Sequence, residues 1–189
     1  MSNILQSSNE EMTTSSVVTT YQLRLKDAKQ TLRLTLNQTY DDDYINRLIQ
    51  AAYGECEDFI SKDIALTTNT TQIWDFSGDY IRLPKGNYNN VVSITDTDSN
   101  TYTMDTTTLR VYDDYFEFYL TSSVPTTDPL TVVYQTGYTD DDTFPENIKR
   151  ALEIKVKTYY DVEVDNYSNL KSTDAAERLL RPYMASQMY

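Results

Sequence analysis

Histidine is absent from this 189-residue chain, and cysteine and tryptophan occur once each. Without histidine the commonest general base and the commonest metal ligand are missing, and so is every Ser-His-Asp or Cys-His arrangement. Any enzymatic chemistry would have to run on carboxylates, tyrosines or lysines. A lone Cys56 excludes an intrachain disulfide, and its spacing from Ala52 and Phe59 places it on an apolar helix face as a buried, inert thiol. Glycine is scarce: Gly54, Gly78, Gly86 and Gly137 stand alone and form no phosphate-cradling loop. No apolar run approaches the roughly 20 residues of a membrane span. No basic segment followed by an apolar one marks a secretory signal. Bases are few, with 16 Lys+Arg against 29 Asp+Glu, for a formal charge of −13. They are scattered, so the stripe that neutralises phosphates is missing. An acidic surface is also repelled by anionic membranes.

What the chain does contain is threonine, aspartate and 17 tyrosines. Residues 1–20 are rich in Ser, Thr, Asn and Glu with few apolar anchors, and read as a flexible N-terminal arm. Leu25, Ala28 and Leu32 share a face, predicting a helix over 23–33. Asp41, Asp42 and Asp43 stand where a helix dipole favours acids. Ile45, Leu48, Ile49, Ala52, Cys56, Phe59 and Ile60 then recur at helical spacing, predicting a helix over 41–62. From 71 to 138 the period becomes two, with turn signals such as Pro84-Lys-Gly-Asn87 and Asp98-Ser-Asn100 between short strands. Pro145 opens a helix over 145–164 that carries Ile148, Ala151, Leu152 and Val156 on one face. A C-terminal extension, 166–189, holds a short helix ending before Pro182. The expected fold class is therefore α+β, a helical bundle base with an inserted antiparallel β-sheet. The expected connector domain covers 21–165, with the β insert at 71–138.

Three constellations invite a chemical reading. Asp96-Thr-Asp98-Ser-Asn100 resembles the start of a calcium loop, but the sixth and twelfth positions are Thr101 and Thr107 where glycine and a bidentate glutamate are needed. A hairpin turn is the better reading. The runs Asp41–Asp43 and Asp140–Asp142 precede helices and read as helix-start charge. As a paired-carboxylate hydrolase they are poor candidates, because that chemistry needs one buried carboxyl facing another. The tyrosines suit a subunit with large contacts. Tyr183, Met184, Met188 and Tyr189 form a candidate interface at the C-terminal end. A tyrosine-lined, glycan- or surface-binding β-rich module is the alternative, although such platforms favour tryptophan and only Trp74 exists.

Taken in order, several segments resemble the tailed-phage head–tail connector family. They are Leu25 to Leu34, then Asp41-Asp-Asp-Tyr-Ile-Asn-Arg-Leu-Ile-Gln-Ala-Ala52, continuing as Glu55-Cys-Glu-Asp-Phe-Ile60. Gln72-Ile-Trp-Asp-Phe76, Tyr80-Ile-Arg-Leu-Pro84 and Val91-Val-Ser-Ile94 follow. The series ends with Val132-Val-Tyr-Gln-Thr-Gly-Tyr138, Phe144-Pro-Glu-Asn-Ile-Lys-Arg-Ala151 and Tyr159-Tyr160. Thr136 departs from the alanine that similar chains often carry before the glycine, and the likeness covers roughly residues 23–165. The resemblance implies a ring, usually of twelve subunits, beneath the portal vertex of a virion. Such a ring joins capsid to tail through portal and a further neck or tail protein, and DNA passes its lumen without specific binding. It implies a protein made in the host cytoplasm and resident in the virion neck, with no enzymatic activity, cofactor, metal or membrane partner.

Overall fold

In the computed structural model of the chain, residues 11–76, 80–84, 86–113, 115–121, 127–139, 143–162 and 170–185 are described. In chain order they form β1 (Glu11–Thr20), α1 (Leu25–Thr31), α2 (Asp42–Ile60), β2 (Leu66–Trp74), β3 (Tyr80–Pro84) and β4 (Tyr88–Thr95). Then come β5 (Met104–Val111), β6 (Tyr115–Leu120), β7 (Leu130–Thr136), α3 (Glu146–Val162) and α4 (Leu170–Leu180), with a 3-10 turn over Arg181–Tyr183. The chain divides into two compact units. One takes Met1–Thr19 and Leu66–Gly137; the other takes Thr20–Ala65 and Tyr138–Tyr189.

The helical unit is organised by α2. Ile45, Ile49, Ala52, Tyr53, Cys56 and Ile60 are buried along one stripe of it. The helix stops at Ser61, whose φ of 58° is left-handed. The Glu57 carboxylate then accepts from the Ile64 and Ala65 N–H groups, both at 2.8 Å, satisfying the turn that leaves the helix. Helix α3 starts just after Pro145, whose carbonyl accepts from the Ile148 and Lys149 N–H groups. Ile148, Ala151, Leu152 and Val156 of α3 share one core with the α2 stripe, with Leu23 and Ala28, and with Ala176 and Leu180 of α4. Cys56 is fully buried there, and its burial pushes the thiol up to about 12, so the inert-thiol reading holds. Helix α1 is shorter than the 23–33 expected, because Arg33 turns left-handed (φ 58°). Leu32 and Leu34 reach the core from this turn, so their apolar spacing reflects burial and not helix.

The β unit has a four-stranded sheet, β1-β2-β7-β4, and a three-stranded sheet, β3-β6-β5. Both are antiparallel. In the first, Thr71 faces Val132 and Ile73 faces Leu130, while Ile94 of β4 faces Val132 from the other side. In the second, Ile81 faces Phe118 and Leu83 faces Phe116. Strict alternation sends these residues to one side of each sheet. The two apolar faces bury Ile73, Ile94, Leu130, Val132 and Tyr134 together with Ile81, Leu83, Phe116 and Phe118 in a single core.

This corrects the expectation of a helical bundle base carrying one inserted sheet. Strand is as abundant as helix, and the seven strands lie in two sheets. The difference comes from threonine. Residues 11–20, read as a flexible arm, are strand β1, and the polar run Leu66-Thr-Thr-Asn-Thr-Thr71 lengthens β2 well before the Gln72 at which the period-two signal begins. Several of their hydroxyls pair across strands: Thr14 with Thr71 at 2.8 Å, and Ser16 donating to Asn69 Oδ1 at 2.6 Å. Asn69 is fully buried and donates in turn to Thr136 Oγ1 at 2.8 Å. Strand β5 is irregular, with a break in register against β6 between Asp105 and Arg110.

Candidate functional site

The C-terminal candidates separate on inspection. Tyr183 is partly buried and packs against the helical core, and the Ala185 N–H donates to Ile60 O at 2.9 Å. Met184 is 41% exposed beside it. Met188 and Tyr189 lie outside the described residues. Because α4 contributes Ala176 and Leu180 to the core, removing all of 166–189 would strip the helical unit as well as the candidate surface. A truncation that tests this surface has to end after Ala185.

The acids distribute as structural groups. Asp42 lies 2.5 Å from the buried Lys29 ammonium, which also donates to Leu36 O (3.3 Å) and Gln38 O (2.7 Å). This pins the loop that feeds α2. Asp140–Asp142 lie outside the described residues. Asp96 follows β4 directly, and its carboxylate turns inward to accept from Asn100 N and Asn100 Nδ2, both at 2.9 Å, and from Tyr102 OH at 2.8 Å. With the Asp96–Ser99 backbone bond and Ser99 at φ 65°, this is a hairpin turn, as the sequence indicated in place of a calcium loop. No group of three or more metal-ligating acids or thiols gathers among the described residues.

Hydrogen bonds from the Asn100 side chain, then Tyr102 and the Asn100 backbone, hold the Asp96 carboxyl down at about 2, outweighing desolvation. The sign follows. A carboxyl depressed on folding stabilises the native state above its ordinary value near 3.8, and the contribution is lost as pH falls towards 2. Thermal melts between pH 5 and pH 2 are expected to show a loss over the lower two units that Asp96→Asn removes in part. Superimposable acid profiles for the two proteins would contradict this.

Four tyrosines, Tyr80, Tyr112, Tyr115 and Tyr119, gather on the outer side of the three-stranded sheet. Tyr80 faces Tyr119 (ring centroids 5.2 Å), and Arg82 and Arg110 both sit opposite Glu117. The Glu117 carboxylate is buried, accepts from Tyr80 OH and from Tyr112 OH (3.2 Å), and has Arg110 at 3.9 Å. Burial, then the bond to Glu117, raises the Tyr80 phenol. A cleft of about 570 Å³ opens over Tyr80, Thr107, Thr108, Arg110, Glu117 and Tyr119. It contains one carboxylate, so the paired-acid geometry of a glycoside hydrolase is not met there. Tyr112 stacks on Tyr115 (4.4 Å, 23°), and the Arg82 guanidinium lies 3.5 Å above the Tyr115 ring. These ring faces are engaged with the protein itself.

What sequence reading missed is the outward surface of the four-stranded sheet. Glu11 is the only charged residue in β1, β2, β7 and β4. In the three-stranded sheet, by contrast, Arg82, Asp105, Arg110 and Glu117 all lie on strands. The signal was present as charge-free runs, of which residues 11–20 were read as part of a flexible arm.

No protein-family model matches the chain, and no curated protein matches it. Solved structures do. A chain in the neck of an empty gene transfer agent (GTA) particle, computed with C6 symmetry, is 14% identical with a TM-score of 0.67, over 93% of this chain and 97% of that one. A chain in the virion of the native GTA particle is 13% identical with a TM-score of 0.68, over 92% and 97%. A chain in the native GTA neck computed with C12 symmetry is 13% identical with a TM-score of 0.67, over 93% and 97%. The chain therefore shares its fold, nearly end to end, with proteins of the GTA particle and its neck.

Proposed function

We propose that this protein is a structural component of a virion neck, in which copies form a closed ring that joins capsid to tail and extends the DNA channel. The observation that carries the reading is the two-way coverage of the fold, 93% of this chain and 97% of a neck chain solved with C12 symmetry. Hardly any of either chain is left over for a different architecture. The ordered segments from Leu25 to Tyr160 independently resemble head–tail connectors. Twelve copies, contact with a portal on one side and with a further neck or tail protein on the other, and a non-catalytic role are the finer parts of the proposal. The charge supports them: a −13 subunit repels phosphates, so a duplex slides past without the basic contacts that would hold it.

The glycan-binding alternative would use the Tyr80–Tyr119 cleft. It is less favoured, because the two rings of that cleft, Tyr80 and Tyr119, pack against each other and the Tyr80 hydroxyl is spent on Glu117. Negative-stain electron microscopy of the purified protein, alone and mixed with its portal, separates the two readings. Rings with a central opening are expected. A monomer that ignores portal and binds immobilised glycans would overturn the neck reading.

A further inference from the structure

We infer that the outward face of the uncharged four-stranded sheet is where one copy of this chain meets the next. The inference rests on the ring reading above and names the surface that builds the ring. Its physical origin is charge. Each copy carries −13, so two copies brought together at random surfaces stack acids on acids. The β1-β2-β7-β4 sheet is free of this penalty, with Glu11 its only charged residue, at the very start of β1.

The register shows which residues look outward. Thr71 and Val132 pair on the buried side, so the neighbouring pair Thr70 and Val133 faces out. Thr14 and Ser16 bond to Thr71 and Asn69 on the inner side, so Val17 of β1 also faces out. Val17 is 68% exposed, Trp74 41%, and Val92, the extra residue where β4 slips against β7, 55%. Away from Glu11 at the start of β1, this side carries apolar, hydroxyl and amide side chains with one aromatic and no charge, the composition of an interface centre. The edge points the same way. Native sheets guard a free edge with lysine, proline or inward charge. Strand β1 runs ten residues with no proline, no lysine and one glutamate, and only Met12 among them is even partly buried. Among the described residues nothing guards this edge, and an open edge beside a charge-free face suits a surface covered in the assembled state. The occupant that meets both conditions is a second copy, which brings its β1 edge to this face, because a cyclic ring needs two different surfaces at each contact and face on face would close as a dimer.

The test is the double variant Val17→Glu/Thr70→Glu, with Val111→Glu on β5 as a control that places an exposed glutamate on the other sheet. The sites are exposed or partly exposed, so the monomer fold should hold, with circular dichroism and melting temperature as the check. Wild type and Val111→Glu are expected to form rings at the same concentration, and the double variant to sediment as a folded monomer. Rings in the double variant would overturn the inference and leave the neck reading standing. Failure of wild type to oligomerise, with or without portal, would overturn both. A second measurement does not depend on the double variant folding. Cys56 is buried, so Val17→Cys gives a nearly silent background for maleimide labelling. Labelling is expected to slow at least tenfold in the ring relative to dilute monomer, and equal rates would overturn the inference.

Discussion

Replacing Tyr53 by alanine is expected to destabilise the helical unit by about 3–5 kcal/mol, the range for deleting a large buried aromatic. Tyr53 is 1% exposed in the middle of α2, and its ring meets Tyr21 edge-on at 4.8 Å. It also carries a polar duty. Its hydroxyl accepts the Leu23 N–H at 2.9 Å, tying the segment before α1 to α2. Tyr53→Phe keeps the packing and orphans that N–H, so about 1–3 kcal/mol is expected from it. Burial raises the phenol well above its ordinary value, so the hydroxyl stays neutral at any pH where the protein is studied. Trp74, the only tryptophan, lies on β2, so its fluorescence follows the β unit while helical circular dichroism follows the other. In denaturant titrations Tyr53→Ala should move the dichroism midpoint furthest. A shift below 1 kcal/mol would show that the site collapses around the missing ring.

The second large effect is an asymmetry between partners. Lys155 of α3 is 3% exposed at its side chain and donates to Glu55 Oε1 of α2 at 2.5 Å, and Tyr159 OH donates to the other oxygen. Desolvation would raise the Glu55 carboxyl, but the bonds from Lys155 and Tyr159 together with the lysine charge bring it down. Glu55→Ala leaves a buried ammonium with no counter-charge. Complete loss of a buried partner costs about 3–5 kcal/mol. Because Glu55 is 43% exposed and water can enter in its place, about 2–3 kcal/mol is expected here. Lys155→Met removes the charge and keeps the apolar stem, leaving a carboxylate that water can solvate, so a change within about 1 kcal/mol is expected. Equal losses for the two variants, read from chemical denaturation, would show that the pair contributes by direct attraction and not through the burial of Lys155.

Helices α2 and α3 were legible because each combines a start signal with a long apolar stripe. Even there, Tyr53 was left out of the stripe, although it lies deeper than Leu48 and Phe59, which only pack against the core's edge. Its amphipathic side chain hid a core position behind an ambiguous residue type. Strand β1 and the first half of β2 were illegible for a different reason. Their threonines and serines satisfy one another across strands, as Thr14 does with Thr71, so no apolar alternation had to be written into either segment alone. The same property conceals the proposed interface. A face defined by lacking charge shows itself only once the register has placed Val17, Thr70 and Val133 on one side of a sheet. The C-terminal pair Tyr183 and Met184 was visible as an aromatic and sulfur-rich cluster, but burial divides it into one residue that packs against the core and one that is 41% exposed.

The measurement that bears most directly on the neck reading is cryo-electron microscopy of the assembled particle, reconstructed around its neck with rotational symmetry imposed and then relaxed. The account predicts a closed ring between portal and tail into which twelve copies of this fold fit, their uncharged sheets at the subunit contacts and the DNA channel running through the centre. A neck complete without this chain, or copies found singly on the capsid or tail surface, would contradict it.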